Sequence, residues 1–332
     1  MTAATAAPAA PRVPRLRGGP WLTFAWRRLG RFAVSLWVLV TTAFLMIHLV
    51  PGDPVRASLG LNASAELVEA KRRSLGLDGP LWTQYLHYLR GLLTGDFGTS
   101  MTSGQPVSEV IGDRLPGTLQ LALPAFLVTI AVAIPVGVLF AVLTRGGRRR
   151  AGELAFTSVS VVLATIPEFL VAVGLVSLFA VTLGWFPVAG SDDLSAYVLP
   201  VAALAVGPAA VLSRIVRVEM LAVLGNDFVR TARAKRLPAR LVYARHALPN
   251  ALTATLTLGG LLLTGLVAGT VLVENVFAWP GLGSSIVQSI LAKDYPLVQG
   301  IVLVYGVGVL LVNLLVDVLL ALLDPRSTIR EG

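Results

Sequence analysis

The chain has 332 residues, of which 55% are hydrophobic and only 14% charged, and its 27 Lys and Arg against 18 Asp and Glu give a net charge of +9. A mean hydropathy of +0.77 lies outside the range of soluble domains and makes the bilayer the solvent that sets the architecture. There is no cysteine, which excludes disulfides, cysteine-ligated zinc, iron–sulfur clusters and a thiol nucleophile.

Residues 1–30 open as an Ala- and Pro-rich stretch and are expected to form a disordered cytoplasmic tail. A transmembrane helix needs about 20 mostly apolar residues. Six stretches qualify: Phe32–Val50, Thr118–Thr144, Leu154–Leu183, Leu194–Ser213, Ala251–Val273 and Leu297–Leu323. The pattern predicts an all-α polytopic membrane protein with six transmembrane helices. The first stretch follows Arg27, Arg28 and Arg31 but ends in MIHLVPGDP, without a small-x-small cleavage pattern, and reads as an uncleaved anchor.

Residues 31–117 group that first helix with a long extracytoplasmic segment. In it Ser64 is placed to cap a short helix that carries Glu66 and Glu69 early, Arg72 and Arg73 late, and Gly76 as its stop. A second helix is expected from Pro80, carrying Trp82, Tyr85, Leu86 and Leu89 and ending at Gly95-Asp96. Its aromatics face either the headgroups or the helix bundle. Residues 118–325 form a five-helix core that includes a cytoplasmic segment, 214–249, and residues 326–332 form a second cytoplasmic tail.

Pro124 and Pro135 are expected to interrupt the second span, Pro167 the third, and Pro200 and Pro208 the fourth. Lipid tolerates such breaks only where neighbouring helices or a watery cavity satisfy the freed backbone groups. Gly265 and Gly269, spaced as G-x-x-x-G, predict a close helix contact in the fifth span.

Orientation follows from the connections. Lys and Arg number six in the N-terminal tail, four in 145–153, eight in 214–249 and two in the C-terminal tail. The other side holds six in the long segment 51–117, none in 184–196 and one in 275–296. The bias places both termini and segment 214–249 in the cytoplasm.

The sequence has no G-x-x-x-x-G-K-[ST], H-E-x-x-H or G-x-S-x-G, and His48, His87 and His246 are too scattered to suggest a metal site. No catalytic, cofactor-binding or metal-ligating set emerges. Glu168 is an intramembrane acid and so a candidate for the translocation path. Asn313 is a second path candidate; with Asp317, one helical turn on, it also reads as a structural polar contact.

Residues 230–250, RTARAKRLPARLVYARHALPN, hold six Arg or Lys and no acid. Leu237, Leu241, Ala244 and Leu248 form a narrow apolar stripe, and Pro238 predicts two short helices meeting near residue 236. Such a segment either docks on a partner or lies at the membrane surface and anchors orientation.

The stretch resembles the cytoplasmic coupling motif of ATP-binding-cassette importer permeases, E-A-A-x3-G-x9-I-x-L-P. Thr231 and Ala232 take the two alanine places, Arg236 the glycine, His246 the isoleucine, and Leu248 and Pro249 the closing pair. HLVPGDP, LGLDGPLWTQYLHYLRGLLTGDFGTS, VFAWPGLGSSIVQSILAKDYPLVQG and NLLVDVLLALLDPR extend the likeness over roughly residues 30–327. Together they resemble the dipeptide/oligopeptide permease family.

That resemblance implies a type I importer permease fold in the bacterial inner membrane, without ATPase chemistry of its own. It implies a homologous second permease, two cytoplasmic ATPase subunits that bind ATP and Mg, and an extracytoplasmic solute-binding protein. The coupling residues it implies are Arg230, Thr231, Ala232, Ala234, Lys235, Arg236, Leu237, His246, Leu248 and Pro249. Di- or oligopeptides are the expected cargo, with nickel chelates, glutathione or sugars as alternatives on the same scaffold and an ion-coupled secondary transporter as the rival class. Arg236 departs from the pattern: if its turn needs a left-handed backbone, a residue with a Cβ costs about 1–2 kcal/mol there.

Overall fold

The computed structural model describes residues 20–49, 54–59, 63–74, 76, 78–147 and 149–323. The terminal stretches 1–19 and 324–332, and the PGD of HLVPGDP, lie outside the described residues. Helices account for nearly everything else; the β pairing among the described residues is one bridge, Thr99 to Pro106.

Helix α1 spans Pro20–Leu49, and the short α2 (Pro54–Leu59) and α3 (Ala65–Ser74) follow. The Leu67 amide donates to Ser64 Oγ at 3.3 Å, the expected cap, and Gly76 takes φ 65° at the stop. Helix α4 (Leu81–Thr94) closes on Gly95 at φ 78°. Its aromatics divide between the two expected environments. Tyr85 meets Thr41 Oγ1 at 2.8 Å and the Phe44 ring of α1, whereas Trp82 stays exposed.

Helix α5 (Val107–Thr144) and helix α8 (Val198–Leu224) form the centre of the bundle. Leu121 and Ala125 of α5 share a core with Ala203 and Leu204 of α8, and Ala133 packs with Leu212 and Val216. Gly137 permits the approach, because a Cβ there would lie 2.6 Å from both the Ser213 carbonyl oxygen and Val216 Cβ.

Between them run α6 (Arg150–Thr165) and α7 (Glu168–Leu175), the latter continuing as a π-helical turn, Val176–Thr182. After α8 come α9 (Asp227–Ala234), the single turn α10 (Ala239–Leu241), a π-helical turn Val242–Ala247, and the long α11 (Leu248–Val276). Helices α12 (Leu282–Leu291) and α13 (Tyr295–Leu323) complete the chain. Helix α13 packs on both α11 and α1.

Four helices, within α1, α5, α8 and α13, are long and apolar enough to cross a membrane, and the pair α6 and α7 makes a fifth crossing as a span bent by 95°. The sixth expected span falls on the 29-residue α11.

The expected proline breaks need correction: the prolines act unequally, and Pro200 lies in the first turn of α8 rather than at a break. Helix α5 runs unbroken through Pro116, Pro124 and Pro135, and α8 through Pro208. A proline removes one i→i−4 bond and crowds the preceding turn, and here the tight α5–α8 contact holds both helices on course. Only at Pro167 does the chain turn, because Ile166 leaves the helical region for φ −70°, ψ 122° and Pro167 stays extended.

Exposed apolar side chains line the outside of the bundle: Trp37 on α1, Leu127 on α5, Val159 on α6 and Leu315 on α13. A soluble protein buries such a surface; a bilayer solvates it.

Candidate functional site

The basic segment folds as a helix–turn–helix at one end of the bundle. Helix α9 presses Val229 and Ala232 against Met220 and Leu224 of α8, Val242 and Ala247 of the π turn, and Ala141 of α5. Its other faces expose Arg230, Thr231 and Ala234. Lys235 and Arg236 then form an exposed tip, with the Arg236 amide donating to the Arg233 carbonyl at 2.9 Å. Pro238 begins the second helix, as its fixed φ favours.

Arg236 has φ 58°. The turn does need the left-handed conformation, and a side chain with a Cβ occupies it. His246, Leu248 and Leu237 are half-buried at the return, and Pro249 lies exposed in the first turn of α11. The apolar stripe is placed differently from the expectation. Ala244 is exposed and Leu237 half-buried, while Val242 and Ala247 are the buried pair. The π turn carries more residues per turn than an α-helix, so the buried face shifts.

The sequence reading passed over three features of this end. Phe228 is a large apolar side chain left 43% exposed on α9; its signal was an aromatic just past the Asn226-Asp227 helix start. Arg217, nearly buried, donates to Glu153 Oε1 at 2.6 Å and to Thr144 Oγ1 at 3.0 Å, clamping α8 to α6 and α5. Arg145 adds a bond to the Leu224 carbonyl at 3.2 Å. The platform under α9 is thereby fixed, while Arg230 on α9 is exposed and Arg233 is half-buried.

The two path candidates are not brought together. Asn313 accepts from Thr264 Oγ1 at 3.4 Å, tying α13 to α11, whereas Glu168 lies against Gly269. Five residues of α11 separate these contacts, a rise of about 7.5 Å and most of a half-turn in facing. Asp317 forms an ion pair with Arg28, a structural link between α13 and α1. The glycine pair also divides: Gly269 is filled by the Glu168 carboxylate, while Gly265 has open space around it. The close helix contact is instead at Gly260, against Val316 of α13.

At the far end of α11, Glu274 is fully buried and organises the loop that follows. Thr118 Oγ1 donates to Glu274 Oε1 at 2.7 Å, and the Ser284 amide donates to Oε2 at 3.0 Å. Trp279 Nε1 donates to the Gly117 carbonyl at 2.9 Å, and the Leu282 amide to Thr118 Oγ1 at 2.8 Å. A Cβ at Gly117 or Gly281 would collide with this packing. Asp294, buried in the turn after α12, accepts from Ser100 Oγ and from the Met101 amide at 3.0 Å, anchoring the loop before α5.

Beside this end, a cavity of about 510 Å³ is lined by His48, Arg73, Gln84, His87, Tyr88 and Asp96, among others. His48 is held between the Phe44 carbonyl (3.1 Å) and Gln84 Oε1 (3.0 Å), and burial pushes the Tyr88 phenol above its ordinary range.

Residues 114–329 match the family described as "Binding-protein-dependent transport system inner membrane component", and residues 21–122 match its N-terminal companion. The chain is 38% identical over 305 residues to the glutathione transport system permease protein GsiC of Salmonella choleraesuis (strain SC-B67), covering 92% of this chain and 98% of that protein. Against GsiC of Escherichia coli (strain K12) it is 36% identical over 304 residues, with the same coverage. In structure it is similar to a chain of the MetNI methionine ABC transporter in an inward-facing form. That likeness has a TM-score of 0.53 and 20% identity, and covers 65% of this chain and 96% of the other. It speaks for the fold alone.

Proposed function

This chain belongs to the binding-protein-dependent transport system inner-membrane component family, and from that premise we propose that it carries short peptides, glutathione first among them. It is a multi-pass inner-membrane permease subunit of an ATP-binding-cassette importer. The cargo reading rests on one observation, the match to glutathione permeases along nearly their whole length.

In this proposal a homologous permease supplies the other half of the path. Two cytoplasmic ATPase subunits bind ATP and Mg, and an extracytoplasmic binding protein delivers the cargo. Both termini and the α9–α10 turn face the cytoplasm, in line with the Lys and Arg bias of the connections. The exposed cations Arg230, Lys235, Arg236 and Arg240, with Phe228 among them, suit a cleft on an ATPase that offers acids around an apolar pocket. ATPase closure then pushes α9 as a rigid unit. Its buried face, Val229 and Ala232, transmits the displacement to α8 and α11.

The test is uptake of labelled glutathione into vesicles containing the assembled importer and its binding protein. ATP-dependent accumulation that persists in the presence of a proton ionophore is the expected result. Absence of uptake for glutathione and for a panel of di- and tripeptides would overturn the cargo reading. Uptake abolished by the ionophore at constant ATP would instead favour the ion-coupled rival.

A further inference from the structure

The bent span contains an arrangement with no use inside this chain. Helix α6 ends at Thr165 and α7 begins at Glu168, and the 95° bend lies between them. In an unbroken helix the Leu163 carbonyl would accept from residue 167, but Pro167 has no N–H. Thr165, Ile166 and Pro167 are all exposed on the surface of the chain. Exposed non-helical backbone inside a membrane span is tolerated where it meets protein or lines a water-filled cavity, and is not tolerated against lipid tails.

Glu168 stands at this break, half-buried, with no hydrogen bond or ion pair to any described residue. Its carboxylate occupies the space above Gly269, where a methyl group would collide with it. The neighbouring surface of α11 is open: Gly265, Ala268 and Leu272 are exposed beside it. An unpaired acid, freed backbone acceptors and an open stretch of α11 therefore meet at one place within the spans. Three other acids of the bundle helices are engaged, Glu153 and Asp317 by arginines and Glu274 by Thr118 and the Ser284 amide.

We propose that Glu168 is a cargo-recognition residue, its carboxylate receiving the primary ammonium group of a peptide as it passes the broken span. The break supplies two complementary things. Its negative side chain attracts the cation, and its freed carbonyls accept N–H groups that the cargo would otherwise leave unsatisfied on losing water. Gly269 acts as a positioning residue, since only the absence of a side chain there lets the carboxylate lie against α11. The inference rests on the short-peptide reading above.

The assembled importer in vesicles tests it with two probes loaded to saturation on the binding protein: glutathione, and the analogue in which glutaryl replaces γ-glutamyl and the amino group is gone. In the Glu168→Gln complex the ratio of glutathione uptake to analogue uptake should fall about tenfold, the loss of one charge-assisted hydrogen bond. Glu168→Asp should restore most of the ratio, and Gly269→Ala should lower it by displacing the carboxylate. An unchanged ratio in Glu168→Gln, or an equal loss of both probes, would overturn the assignment. A wild-type importer that takes up no glutathione or short peptide would overturn the cargo reading itself, a result distinct from either.

Discussion

Two ends of one bundle handle charge in opposite ways. Around α12, the buried acids Glu274 and Asp294 are answered by donors from the same chain, some of them from residues more than 150 positions away. Around α9, the cations Lys235 and Arg236 are exposed, and Arg230 has only a surface partner, Asp227, at 3.4 Å. A surface pair of that kind contributes at most about 1 kcal/mol. The first end is complete as a monomer and holds its loops in one shape. The second is built on an equally fixed platform, the Arg217 clamp, but leaves its outer face exposed. Self-sufficiency marks structure here, and unanswered charge marks the face proposed above as the ATPase contact.

The most severe break in that comparison comes from the closed end. Glu274→Ala should remove about 3 kcal/mol or more, since Thr118 Oγ1 and the Ser284 amide lose their buried acceptor, and thermal unfolding of the purified complex should show it. Ala232→Asp attacks the platform side of the open end. It places a charge in the packing under α9, so ATP-driven uptake should fall at least about tenfold while the permease stays in the membrane; normal uptake would remove α9 from the coupling route. Gly137→Val should destabilise by about 1–3 kcal/mol by forcing α5 and α8 apart, again read by thermal unfolding. The mildest change is Arg236→Gly. Relief of the left-handed strain is worth about 1–2 kcal/mol, partly offset by glycine's greater chain entropy, so stability should rise slightly and uptake should survive. Complete loss of uptake would show that the partner requires the guanidinium.

Much of this architecture was legible because lipid imposes a coarse rule. Long apolar runs had to be helices, Pro238 gave two short helices meeting near residue 236, and the family's glycine at that place raised the question of a left-handed turn, which φ 58° at Arg236 answers. Proline breaks were not legible, because Pro124, Pro135 and Pro208 carry the same sequence mark as Pro167. What separates them is the α5–α8 packing that holds three straight and the extended Ile166 that releases the fourth. Glu274 was missed for a different reason. A lone acid at the end of an apolar run looks like a helix leaving the membrane, and its partner Thr118 is remote in sequence. The π turn at Val242–Ala247 shifted the apolar stripe off the α-helical register that the spacing assumed.

The chain's lack of cysteine allows the central claim, that the open end is the face held by the ATPase, to be tested at a single position. An Arg236→Cys variant in native membranes carries one thiol on this chain, at the tip of the turn, for a short thiol-to-amine cross-linker. The account predicts a cross-linked product containing an ATPase subunit, identified by mass spectrometry. Cross-linking to the extracytoplasmic binding protein, or no protein product in membranes that retain ATP-driven uptake, would contradict it.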